Sequence, residues 1–218
     1  MMKLEIIDFT PTNNYQENLN LLVEKIKNSS AKLILASEVI VTDFDYKNWD
    51  KANSFAKTIK ESILPLSKDK IISLTIIENN QNVAYVFYNE KIAYKRAKLK
   101  LFGYEKKHFK IGNKIEIFEI EGIKFAILIC FEIRFIEYWQ KIKGVDIVLV
   151  PAMWGIERRN HLKTLSNALA LTLQSFVVVS DGLAKASDII SPWAENLGKF
   201  TDIDLSYIKK IRKRLPLE

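Results

Sequence analysis

Hydrophobic residues recur along the chain in two patterns, short apolar runs and stretches with helical spacing. The first helical stretch contains Leu19, Leu22, Val23 and Ile26, four apolar residues at positions i, i+3, i+4 and i+7. This spacing predicts an amphipathic helix. The Thr and Asn residues at positions 12–14 can cap it, because their side chains accept hydrogen bonds from the first free N–H groups of a helix.

The remaining predicted elements follow from the same two patterns. Apolar runs predict strands at residues 3–8, 32–36, 70–77, 83–88, 91–95, 115–120, 123–129, 146–150, 175–180, 187–191 and 200–204. Helical spacing predicts further helices at residues 49–64, 161–173 and 206–214. Strands that alternate with helices indicate an α/β fold.

The length and composition indicate one globular domain, residues 1–218. The chain has 7 Gly and 5 Pro, and neither a linker-like segment nor an internal repeat stands out. The longest apolar runs fall short of the ~20 residues that a membrane helix needs. The N-terminal segment lacks the long apolar core of a signal peptide. We therefore expect a cytoplasmic protein without a membrane partner.

The net charge of +7 raises the question of an acidic partner. The lysines are spread along the whole chain, and the only dense basic run is at residues 209–214. A solvated helix face explains that run, so we expect no nucleic-acid partner, although a basic nucleic-acid-binding protein stays as an alternative. No glycine-rich phosphate loop and no ligand spacing of a zinc or iron site occurs. We expect no cofactor and no metal.

The single cysteine, Cys130, is the first candidate for chemistry. A lone cysteine is most often a buried structural residue. Cys130, however, ends an apolar strand and precedes helix-compatible sequence. At the start of a helix the dipole would lower the pKa of the thiol, and free N–H groups can stabilise an oxyanion. His108 and His161 are the two histidines that could act as its base.

A carboxylate can replace histidine as the base. Glu38 follows the predicted strand at residues 32–36, and Lys98 follows the strand at residues 91–95. Functional groups gather at the carboxyl ends of strands in α/β proteins. On this evidence alone, Glu38 can equally be a solvated loop residue and Lys98 one of many surface lysines.

Three segments in order resemble the nitrilase, or carbon–nitrogen hydrolase, superfamily. KLILASE is similar to the strand that leads to the family's catalytic glutamate, with Ser37 in place of proline. YKRAKLKLFGYE is similar to the segment of the catalytic lysine, with Lys100 in place of histidine. CFEIRFIEYW is similar to the nucleophile segment, and GVDIVLVPAMWG to the strand that follows it. The resemblance covers nearly the whole chain and is nearest the ω-amidase and deaminated-glutathione-amidase branch.

The resemblance implies a four-layer α-β-β-α sandwich and catalytic roles for Glu38, Lys98, Cys130 and Glu105. Cys130 would attack the amide of a small molecule and form a thioester, with Glu38 as the base. Lys98 and the backbone N–H of Phe131 would stabilise the oxyanion, and Glu105 would orient Lys98. Family members usually form homodimers or larger homo-oligomers, and we expect the same of this chain.

Three further residues are candidates for binding the substrate. Phe131 and Trp154 can form the walls of a pocket, although core packing explains Trp154 equally well. Arg134 lies one helical turn after the nucleophile and can bind a substrate carboxylate. Alternatively, Arg134 pairs with Glu132 or Glu137 and only stabilises the loop.

Two alternatives to an amidase remain within the same family. One is an N-carbamoyl amidohydrolase, which would release carbon dioxide together with ammonia. The other is a catalytically weakened binding protein of the same fold. It is motivated by the short chain and by Leu169–Leu173, where the family usually has Arg-Ala-x-Glu-Asn.

Overall fold

The computed structural model describes residues 1–217, which form two β-sheets and five α-helices. The strands are β1 (Met2–Ile7), β2 (Leu33–Ala36), β3 (Ile71–Glu78), β4 (Gln81–Tyr88), β5 (Lys91–Ala97), β6 (Phe118–Ile120), β7 (Ile123–Ile127), β8 (Ile147–Ala152), β9 (Phe176–Asp181), β10 (Asp188–Ile190) and β11 (Phe200–Ile203). The helices are α1 (Tyr15–Asn28), α2 (Trp49–Ile63), α3 (Ile136–Lys141), α4 (Arg159–Leu173) and α5 (Ser206–Arg214). Each predicted strand and helix is present, but the predicted strand at 115–120 begins only at Phe118 and the short α3 was not predicted.

The strands divide into a six-stranded and a five-stranded sheet. The first has the order β11-β1-β2-β3-β4-β5, and the second has the order β10-β9-β8-β7-β6. The central strands β1, β2 and β3 of the first sheet are parallel, as are β7, β8 and β9 of the second. Because strands that run in parallel end at the same edge, each sheet presents several strand ends together.

The side chains of β2 alternate between two hydrophobic cores. Leu33 and Leu35 belong to the core that includes the second sheet, whereas Ile34 and Ala36 pack with α1 and α2 on the outer face. On the far side of the second sheet, α4 contributes Leu162 to the first of these cores. The layers therefore follow the order α-β-β-α, as the resemblance implied.

Local sequence sets the element boundaries. Asn14 caps α1, since its side chain accepts hydrogen bonds from the backbone N–H of Gln16 at 3.1 Å and of Glu17 at 3.3 Å. The turn between β4 and β5 consists of Asn89 and Glu90, both with positive φ, as two-residue hairpin turns require. Within residues 1–217, no helix is long and apolar enough to cross a membrane.

Candidate active site

The ends of three strands place the candidate catalytic side chains. Glu38 follows β2, Lys98 follows β5, and Cys130 follows β7. β2 and β5 belong to the first sheet and β7 belongs to the second, so the site lies between the two sheets. The backbone N–H of Glu38 donates to the carbonyl of Ala152 at the end of β8, 3.3 Å away, which joins the sheets at this point.

Lys98 lies at the centre of the cluster. Its Nζ is 2.8 Å from Glu38 Oε1 and 2.7 Å from Glu105 Oε1. The Lys98 and Glu38 side chains have no exposed surface. Burial alone would lower the pKa of Lys98, but the two carboxylates and the nearby Cys130 outweigh it and hold that pKa above its ordinary value. Lys98 is therefore a fixed positive charge between two carboxylates.

The two oxygens of Glu38 have different surroundings. Oε1 accepts hydrogen bonds from Lys98 Nζ and from Asn82 Nδ2, each at 2.8 Å. Oε2 accepts none among the described residues. The negative charge of Glu38 lies near enough to Cys130 to raise the pKa of its thiol. This arrangement leaves one carboxylate oxygen available to take a proton from the thiol.

Glu105 holds Lys98 from the other side. Its Oε2 accepts a hydrogen bond from the backbone N–H of Phe102 at 2.6 Å, which fixes the carboxylate while Oε1 contacts Lys98. Burial and the negative charge of Glu38 raise the pKa of Glu105, although Lys98 opposes both effects. Both oxygens of the Glu105 carboxylate are thus held by hydrogen bonds.

Cys130 begins a five-residue 3₁₀ helix, Cys130–Arg134, and has a positive φ of 52°. The pKa of its thiol is raised well above the ordinary value, first by burial and then by the charge of Glu38, against the opposing effect of Lys98. The expectation of a lowered pKa is therefore wrong. The segment after Cys130 is too short for a strong helix dipole, and the nearest carboxylate disfavours the thiolate.

Neither histidine supports a Cys/His pair. His108 packs against the ring of Tyr46, with centroids 4.6 Å apart. His161 Nδ1 is 2.9 Å from Arg134 Nη2. In the part of the chain that the structure describes, no hydrogen bond joins either histidine to Cys130.

A narrow cavity of about 30 Å³ opens beside the thiol. It is lined by Phe102, Cys130, Phe131, Arg134, Met153, Trp154 and Arg158. All three predicted substrate-binding residues therefore face the space next to the nucleophile. A larger cleft of about 720 Å³ lies at the opposite ends of β1, β2 and β3, and none of the candidate residues lines it.

Two arginines flank this cavity. Arg134 lies over the ring of Trp154 with its guanidinium 4.8 Å from the ring centroid, and Arg158 lies over the ring of Phe102 at 5.0 Å. Within residues 1–217, neither arginine forms an ion pair with an acidic side chain. The alternative that Arg134 pairs with Glu132 or Glu137 is therefore wrong, and both guanidiniums can bind an anion in the cavity.

The sequence prediction missed several polar residues around the site. Asn82 contacts Glu38, Arg96 and Glu132 form a buried ion pair, and Arg158 lines the cavity. One signal was present for Asn82, because it is a polar residue in a strand whose inner positions are all buried. Over the described residues, no group of three or more His, Cys, Asp or Glu side chains could hold a metal ion.

Comparison with known proteins identifies the family. The sequence model described as Carbon-nitrogen hydrolase matches residues 4–209. The chain is 25% identical to the 2-oxoglutaramate amidase of Bacillus subtilis (strain 168), over 89% of this chain and 86% of that protein. It is 28% identical to the deaminated glutathione amidase of Dictyostelium discoideum, over 79% of this chain and 68% of that protein.

Solved structures agree on the fold. A variant of the amidase from Nesterenkonia sp. AN1, with acrylamide added to its active-site cysteine, superposes with a TM-score of 0.82. The match covers 98% of each chain at 16% identity, so this likeness concerns the fold alone. Since the family match spans nearly all of the sequence and the fold agrees with it, the chain belongs to the carbon–nitrogen hydrolase family, whose amidase members it resembles.

Proposed function

We propose that this protein is an amidase that hydrolyses a small amide through a thioester on Cys130, with Glu38 as base and Lys98 as oxyanion donor. One observation carries the proposal. Lys98 and Asn82 hold one oxygen of Glu38, while the other oxygen accepts no hydrogen bond among the described residues and the carboxylate is near enough to raise the pKa of the Cys130 thiol. A thiol with a raised pKa needs such a base at the moment of attack.

The first half of the reaction forms the thioester. Glu38 Oε2 takes the proton from Sγ of Cys130 as Sγ bonds to the amide carbon. The carbonyl π electrons move to oxygen, and Lys98 Nζ and the backbone N–H of Phe131 stabilise that negative charge. Glu38 then returns the proton to the amide nitrogen, the C–N bond breaks, and ammonia or an amine leaves. Each well-placed oxyanion donor contributes about 3–4 kcal/mol to stabilising the transition state.

The second half hydrolyses the thioester. Glu38 takes a proton from water as the water oxygen attacks the thioester carbon, and the same two donors stabilise the second oxyanion. The C–S bond then breaks, the proton passes from Glu38 to Sγ, and the carboxylic acid leaves. Glu105 keeps Lys98 in place during both steps, since it contacts Lys98 Nζ at 2.7 Å.

The cavity favours an amide that also carries a carboxylate. Phe131 and Trp154 supply apolar walls. The guanidiniums of Arg134 and Arg158, which form no ion pair with an acidic side chain among the described residues, match a planar anion. A substrate that is the monoamide of a dicarboxylic acid has both groups. The name of one relative, 2-oxoglutaramate amidase, agrees with this class of substrate.

We also propose that the protein works as a homodimer or larger homo-oligomer in the cytoplasm. Large apolar side chains are exposed beside the site, including Phe102 at 44%, Ile136 at 61% and Ile156 at 60% of their surface. Exposed apolar groups of this kind often belong to subunit interfaces. A lone thiol that must stay reduced suits the cytoplasm.

The activity is tested by an ammonia-release screen over a panel of small amides, with and without a distal carboxylate. We expect release from at least one carboxylate-bearing amide, and we expect Cys130→Ala to abolish it because the nucleophile is lost while a small apolar side chain remains. Carbon dioxide released together with ammonia would instead identify an N-carbamoyl amidohydrolase. Full activity in Cys130→Ala would reject the mechanism.

The pKa of the thiol is tested by a pH titration of thiolate absorbance. The absorbance of the Cys130→Ala variant is subtracted, so that only Cys130 contributes to the remaining signal. We expect the titration midpoint to lie above the ordinary value of 9.0, because burial and Glu38 raise the pKa of Cys130. Glu38→Gln removes a negative charge, and it should lower this pKa. Glu90→Gln at the exposed hairpin turn is the control and should change nothing. A wild-type midpoint below 9.0 would contradict the assignment.

The two arginines are tested with a matched pair of amides, one with a free carboxylate and one with that carboxylate esterified. Arg134→Ala and Arg158→Ala should each raise KM for the acid by about tenfold to a hundredfold. This factor corresponds to the free energy of one lost charge-assisted hydrogen bond. KM for the ester should change little. Arg214→Ala, at the end of α5, is the control. Equal losses on both amides would show that the arginines serve the structure rather than the substrate.

A further inference from the structure

The carboxylate of Glu132 lies fully buried near the nucleophile, yet it does not line the cavity. It forms a bidentate ion pair with Arg96, with Nη2–Oε1 at 2.6 Å and Nη1–Oε2 at 2.7 Å. It also accepts two backbone hydrogen bonds, Leu99 N–H on Oε1 at 2.6 Å and Ile129 N–H on Oε2 at 2.7 Å. Each oxygen therefore has two donors.

Arg96 is held as firmly as its partner. Its Nη1 also donates to the carbonyl of Ile127 at 3.1 Å, and its Nε donates to the carbonyl of Lys114 at 3.0 Å. Both side chains of the pair are buried, with exposures of 1% and 0%. A bidentate guanidinium–carboxylate pair allows little change of distance or angle, so the unit is rigid.

The unit contacts the chain immediately beside two proposed catalytic residues. Leu99 directly follows Lys98, just after β5 of the first sheet, and Ile129 directly precedes Cys130, just after β7 of the second. The carboxylate thus connects the two backbones at the point where the site spans the sheets. The backbone N–H of Glu132 also donates to the carbonyl of Ile129 at 3.0 Å, which closes the turn that holds Cys130 at its positive φ.

We propose that Glu132 and Arg96 are positioning residues that fix Cys130 relative to Lys98 and Glu38; the proposal rests on the function given above. A buried ion pair is weak evidence for stability alone, because apolar residues of similar volume often stabilise a core equally well. The presence of this pair is better explained by the fixed geometry that it imposes on the backbone beside Lys98 and Cys130. A misplacement of about 1 Å at a reacting group costs on the order of 10²-fold in rate.

The test uses variants that keep both charges. Arg96→Lys loses the bidentate fork, and Glu132→Asp is too short to reach both backbone N–H groups. Asp146→Asn is the control, since Asp146 also joins an arginine and a backbone N–H, but at the start of β8, away from the site. For each folded variant, we would measure Tm, kcat and KM, and the rate of Cys130 alkylation by chloroacetamide.

We expect both variants to lower kcat by about 10²-fold with KM changed only a few-fold. The alkylation rate should fall at least tenfold, while Asp146→Asn should leave both rates within twofold of wild type. The alkylation rate can be measured without amidase turnover. It therefore still tests the positioning role of Glu132 and Arg96 if the wild-type protein hydrolyses no amide. Unchanged alkylation and kcat in folded variants would overturn the proposal. Unfolding of both variants would also overturn it, because the pair would then be a folding element.

Discussion

The ammonium of Lys98, buried between the carboxylates of Glu38 and Glu105, is the interaction on which the rest of the site depends. Taking charges out of water costs several kcal/mol for each ion, and close opposite charges with further hydrogen bonds are needed to offset it. Here Asn82 and the backbone N–H of Phe102 supply those additional bonds. Without Lys98, two buried carboxylates would face each other, and at least one would take up a proton.

The same cluster acts on the nucleophile. Burial of Cys130 raises the pKa of its thiol, and the charge of Glu38 raises it further against the opposing effect of Lys98. In the proposed mechanism, the proton leaves only as the substrate carbon approaches, and the negative charge that develops on the carbonyl oxygen is near Lys98. Because the proton is transferred during the attack, a carboxylate can act as the base for a thiol whose pKa is high.

The sequence predicted the layers of the fold and the candidate residues that the structure brings together, but not the contacts that hold them in place. The side chains of β2 alternate between the two cores because a strand has a period of two, and Glu38, Lys98 and Cys130 were chosen from segments that resemble the family. Arg96 and Glu132 are distant in sequence, and local patterns carry no information on which buried charges pair. The sequence did not predict the position of Arg158 for a similar reason, because this position beside the cavity depends on how α4 packs on the second sheet.

The proposed mechanism depends on a thioester on Cys130, and intact mass spectrometry of the protein during turnover can detect this intermediate. After an acid quench, we expect a covalent adduct whose mass equals the amide minus the leaving amine. The adduct should disappear on treatment with hydroxylamine, which cleaves thioesters, and should not form in Cys130→Ala. Turnover with an adduct on another residue, or an adduct that persists in Cys130→Ala, would contradict the account.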